Sequence, residues 1–414
     1  MGMTRKEWAW ASYDFANSAF PTVVSTFVIA TYFTSAVAPN PVEGQALWGW
    51  MQALVGFAVA LLSPVLGAVA DAGGRRRGML LFFTMLTAGA TAMIWFVRPE
   101  PGYALTALLL VGLASIGFEL GTVFYNAMLP GVARPEAMGR VSGIGWAMGY
   151  GGGLLCLALC LVLLVQPNPA LFGLDRAAAE HVRATALLAG AWVFVFCWPV
   201  LVAVPDPRLC PPIGMAISQG LSEIIILLRA LPRQPVLARF LLARLFYTDG
   251  LNTLFAFGAI YAAGRFGMGV SEILLFGILL NITAGLGALA GGMVEDRLGS
   301  RRTVLLALGC IIGFGLGVLL VEDRAMFWVL GAGLGLFFGP AQAASRTLMA
   351  RLAPPGEVGA WFGLFALSGR VTGFLGPALL ATATTAFASQ QAGMAVVVGL
   401  MGLGFSILLT VRAR

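Results

Sequence analysis

Twelve predominantly apolar runs divide the chain, at about 10–38, 46–70, 78–98, 102–128, 139–165, 184–204, 236–262, 270–294, 302–320, 325–348, 358–383 and 391–411. A helix crosses the hydrocarbon core of a bilayer with about 20 mostly apolar residues. The 414 residues allow about 35 per run and connection, so the connections are short. Strands of a transmembrane barrel would show ~10-residue alternation instead, and these runs are too long and too continuous for that. Composition agrees: 59% of residues are hydrophobic and 10% charged, against about 45–50% and about 25% in an ordinary globular chain. Such a chain could not cover its own surface with polar groups, and its apolar content excludes disorder. Five cysteines in 414 residues exclude a secreted disulfide scaffold. Cys156, Cys160, Cys197 and Cys310 sit inside apolar runs and read as small core residues. The first run carries Asp14 and Asn17 and no small-residue cleavage site, so it reads as a span and not as a signal peptide.

Basic residues favour cytoplasmic connections. Nineteen of the 25 Lys and Arg fall on the side of the N-terminus, among them Arg75, Arg76, Arg77, Arg239, Arg244, Arg301 and Arg302. Five fall on the opposite side, and Arg370 lies inside a run. Both termini are therefore expected in the cytoplasm. The net charge of +7 follows from this asymmetry, and its spread over many connections argues against nucleic-acid binding. The longest connection, 205–235, carries six prolines around an apolar stretch, 213–231, that reads as an interfacial helix. It divides the chain into a six-helix bundle at 1–204, a cytoplasmic linker at 205–235 and a second six-helix bundle at 236–414.

The two halves repeat one another in order. Gly67-Ala-Val-Ala-Asp71-Ala-Gly-Gly74-Arg75-Arg76 returns as Gly292-Met-Val-Glu-Asp296-Arg-Leu-Gly299-Ser-Arg301. Asp14-Phe-Ala-Asn17-Ser-Ala-Phe20 returns as Asp249-Gly-Leu-Asn252-Thr-Leu-Phe255. Pro135 with Gly139-Arg-Val-Ser-Gly143 returns as Pro355 with Gly359-Ala-Trp-Phe-Gly363. Two six-helix halves related by an axis along the membrane normal are the plan of major facilitator transporters, and the loop motif seen twice resembles that superfamily's cytoplasmic signature. In it, Gly67 and Gly292 allow close helix approach, and Gly74 and Gly299 permit the tight turn. Asp71 and Asp296 can accept from helix N-termini or pair with Arg75 and Arg301, holding that side shut.

Two further segments, Trp10-Ala-Ser-Tyr13-Asp14-Phe-Ala-Asn17-Ser18-Ala-Phe20 and Val141-Ser142-Gly143-Ile-Gly145-Trp146-Ala-Met-Gly149-Tyr150-Gly151-Gly152, resemble the "unknown major facilitator" family, which includes the fungal vacuolar effluxer linked to autophagy. The resemblance implies an all-α integral membrane protein of twelve spans and a small-metabolite exporter, an amino acid being the suggested cargo. It implies a multi-pass place in a bacterial inner membrane and a monomer.

A charge at the centre of a span costs about 2.5–3.5 kcal/mol on insertion scales, so such residues usually face a cavity and act. Asp14 shares a helical face with Asn17, Ser18, Thr22 and Ser25, and Glu119 with Ser115, Thr122 and Asn126. Asp249 has Asn252 and Thr253 one turn on, and Arg370 corresponds to Tyr150 in the repeat. In the superfamily spans 1, 4, 7 and 10 line the central cavity, which places these acids on the right helices. A carboxyl shielded from water exchanges protons nearer neutral pH than one in solution. Glu119 is the first choice for proton coupling because no basic residue adjoins it, with Asp249 and Asp14 behind it. Arg370 offers a fork suited to a substrate carboxylate, or pairs structurally with one of the acids. The glycines at 143, 145, 149, 151, 152 and 153, like Gly369, Gly373 and Gly376, read as close helix packing across the interface between halves.

No phosphate-binding loop is present, so ATP is not the expected energy source. The single histidine, His181, excludes His-based metal sites and Ser-His-Asp chemistry, and no cofactor is expected. Trp8, Trp10, Trp48 and Trp50 are placed for aromatic belts. The reading is a secondary transporter working by alternating access on a small polar solute and protons. A transport-inactive assembly factor or sensor of the same fold is the alternative. Such a protein would be expected to lose its buried charges, and this chain keeps both them and the gate loops.

Overall fold

The computed structural model describes residues 3–72, 76–133, 138–204, 229, 231–352, 365, 368–369 and 372–411. Among the described residues the regular structure is helical, joined by turns and loops. The main helices are α1 (Arg5–Asn17), α2 (Pro41–Ala72), α3 (Arg76–Met93), α4 (Ala104–Val132), α5 (Met138–Leu159) and α6 (Glu180–Phe196). They are followed by α7 (Pro235–Phe266), α8 (Val270–Leu298), α9 (Ser300–Leu320), α10 (Arg324–Leu352), α11 (Leu375–Phe387) and α12 (Gln390–Leu409). Among the described residues ten helical segments are long and apolar enough to cross a bilayer. The two expected runs outside that set are the seventh and the eleventh. Arg239, Arg244 and Asp249 dilute the apolar character of α7, although it is 32 residues long, and α11 has 13 residues. The proposed interfacial helix at 213–231 lies almost wholly outside the described residues.

The first span starts where its sequence says. Thr4 Oγ1 accepts from the Glu7 N–H at 3.3 Å, and the Glu7 carboxylate accepts from the Thr4 N–H at 2.6 Å, the reciprocal pair of a capping box. Beyond Asn17 the span continues in wider π-turns at Phe20–Phe27 and Phe33–Val37. Pro21 has no N–H to give the α-helical ladder, and the ladder reconnects over five residues, Val28 N–H donating to Val23 O at 2.9 Å.

Contacts group the chain into two units, Met1–Gly44 with Ala58–Leu221 and Gly269–Leu274, and Gln45–Phe57 with Ser222–Met268 and Leu275–Arg414. In the first unit glycines set the helix spacing: a Cβ on Gly117 of α4 would lie 2.9 Å from Phe83 O of α3, and one on Gly190 of α6 would lie 2.8 Å from Ala88 O. Contact this close is how helices associate where lipid removes the hydrophobic drive. In the second unit residues 45–57 of α2 lie along α11. A Cβ on Gly49 would be 2.9 Å from Ala381 Cβ, and Gln45, with no exposed surface, donates to Thr384 Oγ1 at 2.9 Å and to Gln390 O at 3.2 Å.

The tryptophans divide. Trp8 and Trp50 are exposed as belt residues should be, whereas Trp10 and Trp48 are buried. The belt expectation fails for these last two, and Trp10 has found a stacking partner and a carbonyl inside the bundle. Cys156, Cys160 and Cys197 are free and buried, in keeping with their reading as core residues.

Candidate functional site

In the first unit the site grows from α1. Asp14, Ser18 and Thr22 recur every four residues and therefore share one face. That face meets the glycines of α5: a Cβ on Gly145 would lie 2.7 Å from Asp14 Oδ2, one on Gly149 2.7 Å from Ser18 Oγ, and one on Gly153 2.6 Å from Thr22 Oγ1. The expectation that this glycine run packs between the halves is thereby corrected. Gly145, Gly149, Gly152 and Gly153 pack against α1 within their own unit, because only a surface without Cβ atoms lets α1 approach this closely. Asn17, on the flank of the stripe, is 4% exposed, and its Oδ1 has no hydrogen-bond partner among the described residues.

Asp14 is held from α4. Tyr125 donates its O–H to Asp14 Oδ2 at 2.9 Å. The Tyr125 ring stacks on Trp10, with centroids 4.3 Å apart and an interplanar angle of 11°, and the Trp10 indole N–H donates to Tyr125 O at 3.0 Å. Tyr13 leans on the same ring at 4.7 Å and donates to Thr84 Oγ1 at 2.9 Å, since the single Thr84 proton goes to Leu80 O. Sequence reasoning missed Tyr125. Its only signal was a phenol one residue before Asn126 in an apolar run.

Glu119 sits near the middle of α4, half-buried, and among the described residues it has no hydrogen-bond or ion-pair partner. Ser115, one turn earlier, is buried with an unpartnered hydroxyl, while Thr122 turns its hydroxyl back to Phe118 O. Asn126 and Tyr150 are exposed, the Tyr150 ring lying 6.1 Å from Trp146.

In the second unit α7 meets a break in the eleventh run. Residues 372–374 form a turn before α11, and Pro377 explains why a helix must restart here. The first N–H groups of a helix have no partner within it, and here each can be traced. Leu375 donates to Thr372 O at 2.7 Å, Ala378 to Phe374 O at 3.0 Å, Pro377 has no N–H, and Gly376 donates to Asp249 Oδ2 at 2.7 Å. Phe374, at the cap position, has no side chain that could accept. Asp249, 2% exposed, caps α11 from another helix.

Five residues before it, Arg244 is 8% exposed. Its Nη1 donates to Phe365 O at 2.5 Å and to Ser368 Oγ at 2.8 Å, and its guanidinium lies 3.5 Å from the Phe365 ring centroid. Of the four charged residues of α7, these two take opposite backbone groups, the cation a carbonyl and the anion an amide at the start of α11, where a helix dipole favours negative charge. Counting Arg244 among the basic residues of the connections was wrong. It lies within α7 and is desolvated by its own partners, and its nearness to Asp249 and Tyr247 on an apolar helix was the available clue.

The remaining expected site residues are scattered. Asn252 is exposed on α7. Gly299 has φ +81°, the left-handed backbone the turn requires, and Arg301 donates to Leu409 O at 2.8 Å. Gly74, Arg75 and Arg370 lie outside the described residues, as do the side chains of Asp71 and Asp296.

The Asp14 stripe yields a direct test. Gly145→Ala and Gly149→Ala are expected to destabilise the protein by about 1–3 kcal/mol, the usual range for overpacking. Gly151→Ala, where a Cβ meets nothing within 4 Å, should be neutral. Unfolding of the three purified variants in detergent checks this.

Ten membrane-length helical segments among the described residues, and charges buried within the helices, describe a polytopic membrane protein, and known structures show its fold. The chain superposes on a D-xylose-proton symporter with a TM-score of 0.73 and 14% identity, covering 98% of this chain and 96% of that one. It superposes on the nucleoside transporter NupG with a TM-score of 0.69 and 13% identity, covering 99% and 100%. The fold is that of major facilitator transporters. Residues 3–414 match the family described as "Vacuole effluxer Atg22 like", and the chain belongs to that family. It is 26% identical to the uncharacterized MFS-type transporter YxiO of Bacillus subtilis (strain 168), over 98% of this chain and 94% of that one. It is also 24% identical to autophagy-related protein 22 of Coccidioides immitis (strain RS), over 77% of this chain and 64% of that one.

Proposed function

We propose that the protein is a secondary active transporter that exports a small polar solute, an amino acid in the first instance, by alternating access coupled to protons across a bacterial inner membrane. The observation that carries this reading is Glu119. A carboxyl half-buried in the middle of a membrane-length helix, with no partner among the described residues, is costly to place, and such groups usually face a cavity and act. Asp14 and Asp249 are the supporting acids, each fixed by one hydrogen bond to a single oxygen. Membership of an effluxer family supports export and a metabolite cargo. A proton symporter of the same fold supports the choice of coupling ion. Arg370 is the proposed partner of a substrate carboxylate, with Asn17, Asn126, Tyr150 and Asn252 as polar contacts. The Asp71/Gly74/Arg75 and Asp296/Gly299/Arg301 loops are proposed to gate the cytoplasmic side.

The test uses the purified protein in proteoliposomes with an imposed pH gradient and a mixture of labelled amino acids and other small metabolites. Accumulation of at least one solute only when the gradient is present is the expected result. Equal uptake with and without the gradient, across all solutes, would end the proton-coupled reading. If a carboxylate solute is found, Arg370→Lys should impair it more than a neutral analogue, because an ammonium cannot offer the bidentate fork. Equal loss for both would make the arginine structural.

A further inference from the structure

We infer that Asp249 and Thr253 form a binding site for a monovalent metal cation of the sodium type, beside the break that precedes α11. Thr253 follows Asp249 by four residues on α7, so the two side chains share a face. They are 2% and 1% exposed. Asp249 Oδ2 is taken by the Gly376 N–H, but Asp249 Oδ1 and Thr253 Oγ1 are both fully buried and have no hydrogen-bond partner among the described residues. Leaving such groups unpartnered costs about 1–3 kcal/mol each and more for a charge. Thr84, Thr87 and Thr122 each avoid that cost by donating to the carbonyl four residues back, whereas Thr31, Thr91, Thr248 and Thr253 are buried without a partner among the described residues. Thr253 is set apart by where its hydroxyl lies, turned toward Gly376 beside an equally unpartnered carboxylate oxygen.

Gly376 shows where the two oxygens aim. A Cβ built there would stand 3.1 Å from Asp249 Oδ1 and would collide with Thr253 Oγ1. Both oxygens therefore converge on one point beside the glycine, and only a residue without a side chain leaves that point open. A carboxylate and a hydroxyl are hard oxygen ligands, which suit hard cations. Among the described residues no group of three or more His, Cys, Asp or Glu side chains could hold a metal ion of higher charge. One carboxylate, already shared with a helix end, balances one positive charge.

Binding is tested on the full-length purified protein, without any transport substrate. Thermal unfolding is followed in NaCl and in choline chloride at equal ionic strength and pH. Because a ligand that binds only the folded state raises its midpoint, a saturable rise of about 3 °C in NaCl is expected for the wild type. Thr253→Val and Asp249→Asn should keep the choline midpoint of the wild type and lose the sodium increment. Equal wild-type midpoints in the two salts, or an increment that persists in both variants, would overturn the site. A midpoint that rises with methylammonium but not with sodium would also overturn it and would assign the oxygens to an organic amine. The inference shares Asp249 with the proton reading, whose own test is made at Glu119. A sodium increment intact in Glu119→Gln, together with loss of pH-driven flux, would separate the two.

Discussion

Glu119→Gln is expected to abolish pH-driven accumulation in proteoliposomes, a loss of about tenfold or more in the initial rate, while leaving expression and the unfolding midpoint unchanged. The physical basis is narrow. Glutamine keeps the shape and one acceptor oxygen of glutamate but neither carries nor releases a proton at this position. Among the described residues Glu119 supports no other side chain through a hydrogen bond, so nothing structural is lost with the charge. Exchange of solute for solute across the same membrane should survive, since it needs no net proton movement. Glu119→Asp should retain part of the coupled flux. A Glu119→Gln protein that accumulates solute at the wild-type rate would remove this residue from the mechanism.

The second large effect is expected at Asp249, where two substitutions separate structure from charge. Asp249→Ala removes the only acceptor of the Gly376 N–H inside a membrane-embedded bundle, where an unsatisfied backbone group costs several kcal/mol. We expect poor expression and a fall of about 2–4 kcal/mol in stability. Asp249→Asn can still accept from Gly376 through its amide oxygen, so it should fold nearly as well and lose only the ionisable group. Unfolding in graded denaturant reads the difference. Equal destabilisation by the two variants would mean that the negative charge, and not the hydrogen bond, holds α11 in place.

The membrane character, the all-helical class and the doubling of the chain were legible because each rests on a property of consecutive residues. Apolar length sets a span, and a duplicated loop motif is visible wherever it stands. The resemblance of Trp10–Phe20 and Val141–Gly152 to one transporter family was legible for the same reason. The start of α1 could be read from Thr4 and Glu7 alone, since a capping box is local.

Partnerships between distant residues were not legible. Asp14 and Asp249 occupy equivalent places in the repeat, yet one is held by a phenol from α4 and the other by a backbone amide exposed by Pro377. Nothing within either heptapeptide distinguishes them. Arg244 stood near Asp249 and Tyr247 on an apolar helix, but its surroundings in sequence did not show which carbonyl and ring it would fold onto. Trp10 looked like Trp8 until a ring 115 residues away stacked upon it.

By itself, then, the sequence determined that the chain crosses a bilayer as helices, that its motifs recur in order, and which ionisable groups lie within its apolar runs. Hydrophobic length and repetition are additive along a chain and need no partner to be counted. Tertiary structure alone decided which of those charges are satisfied and by whom, because a hydrogen bond or a close glycine contact depends on ångström-scale approach between segments that the order of residues does not bring together. That difference leaves Glu119 without a hydrogen-bond partner among the described residues, ties Asp14 to Tyr125, and turns one oxygen of Asp249 toward a helix end.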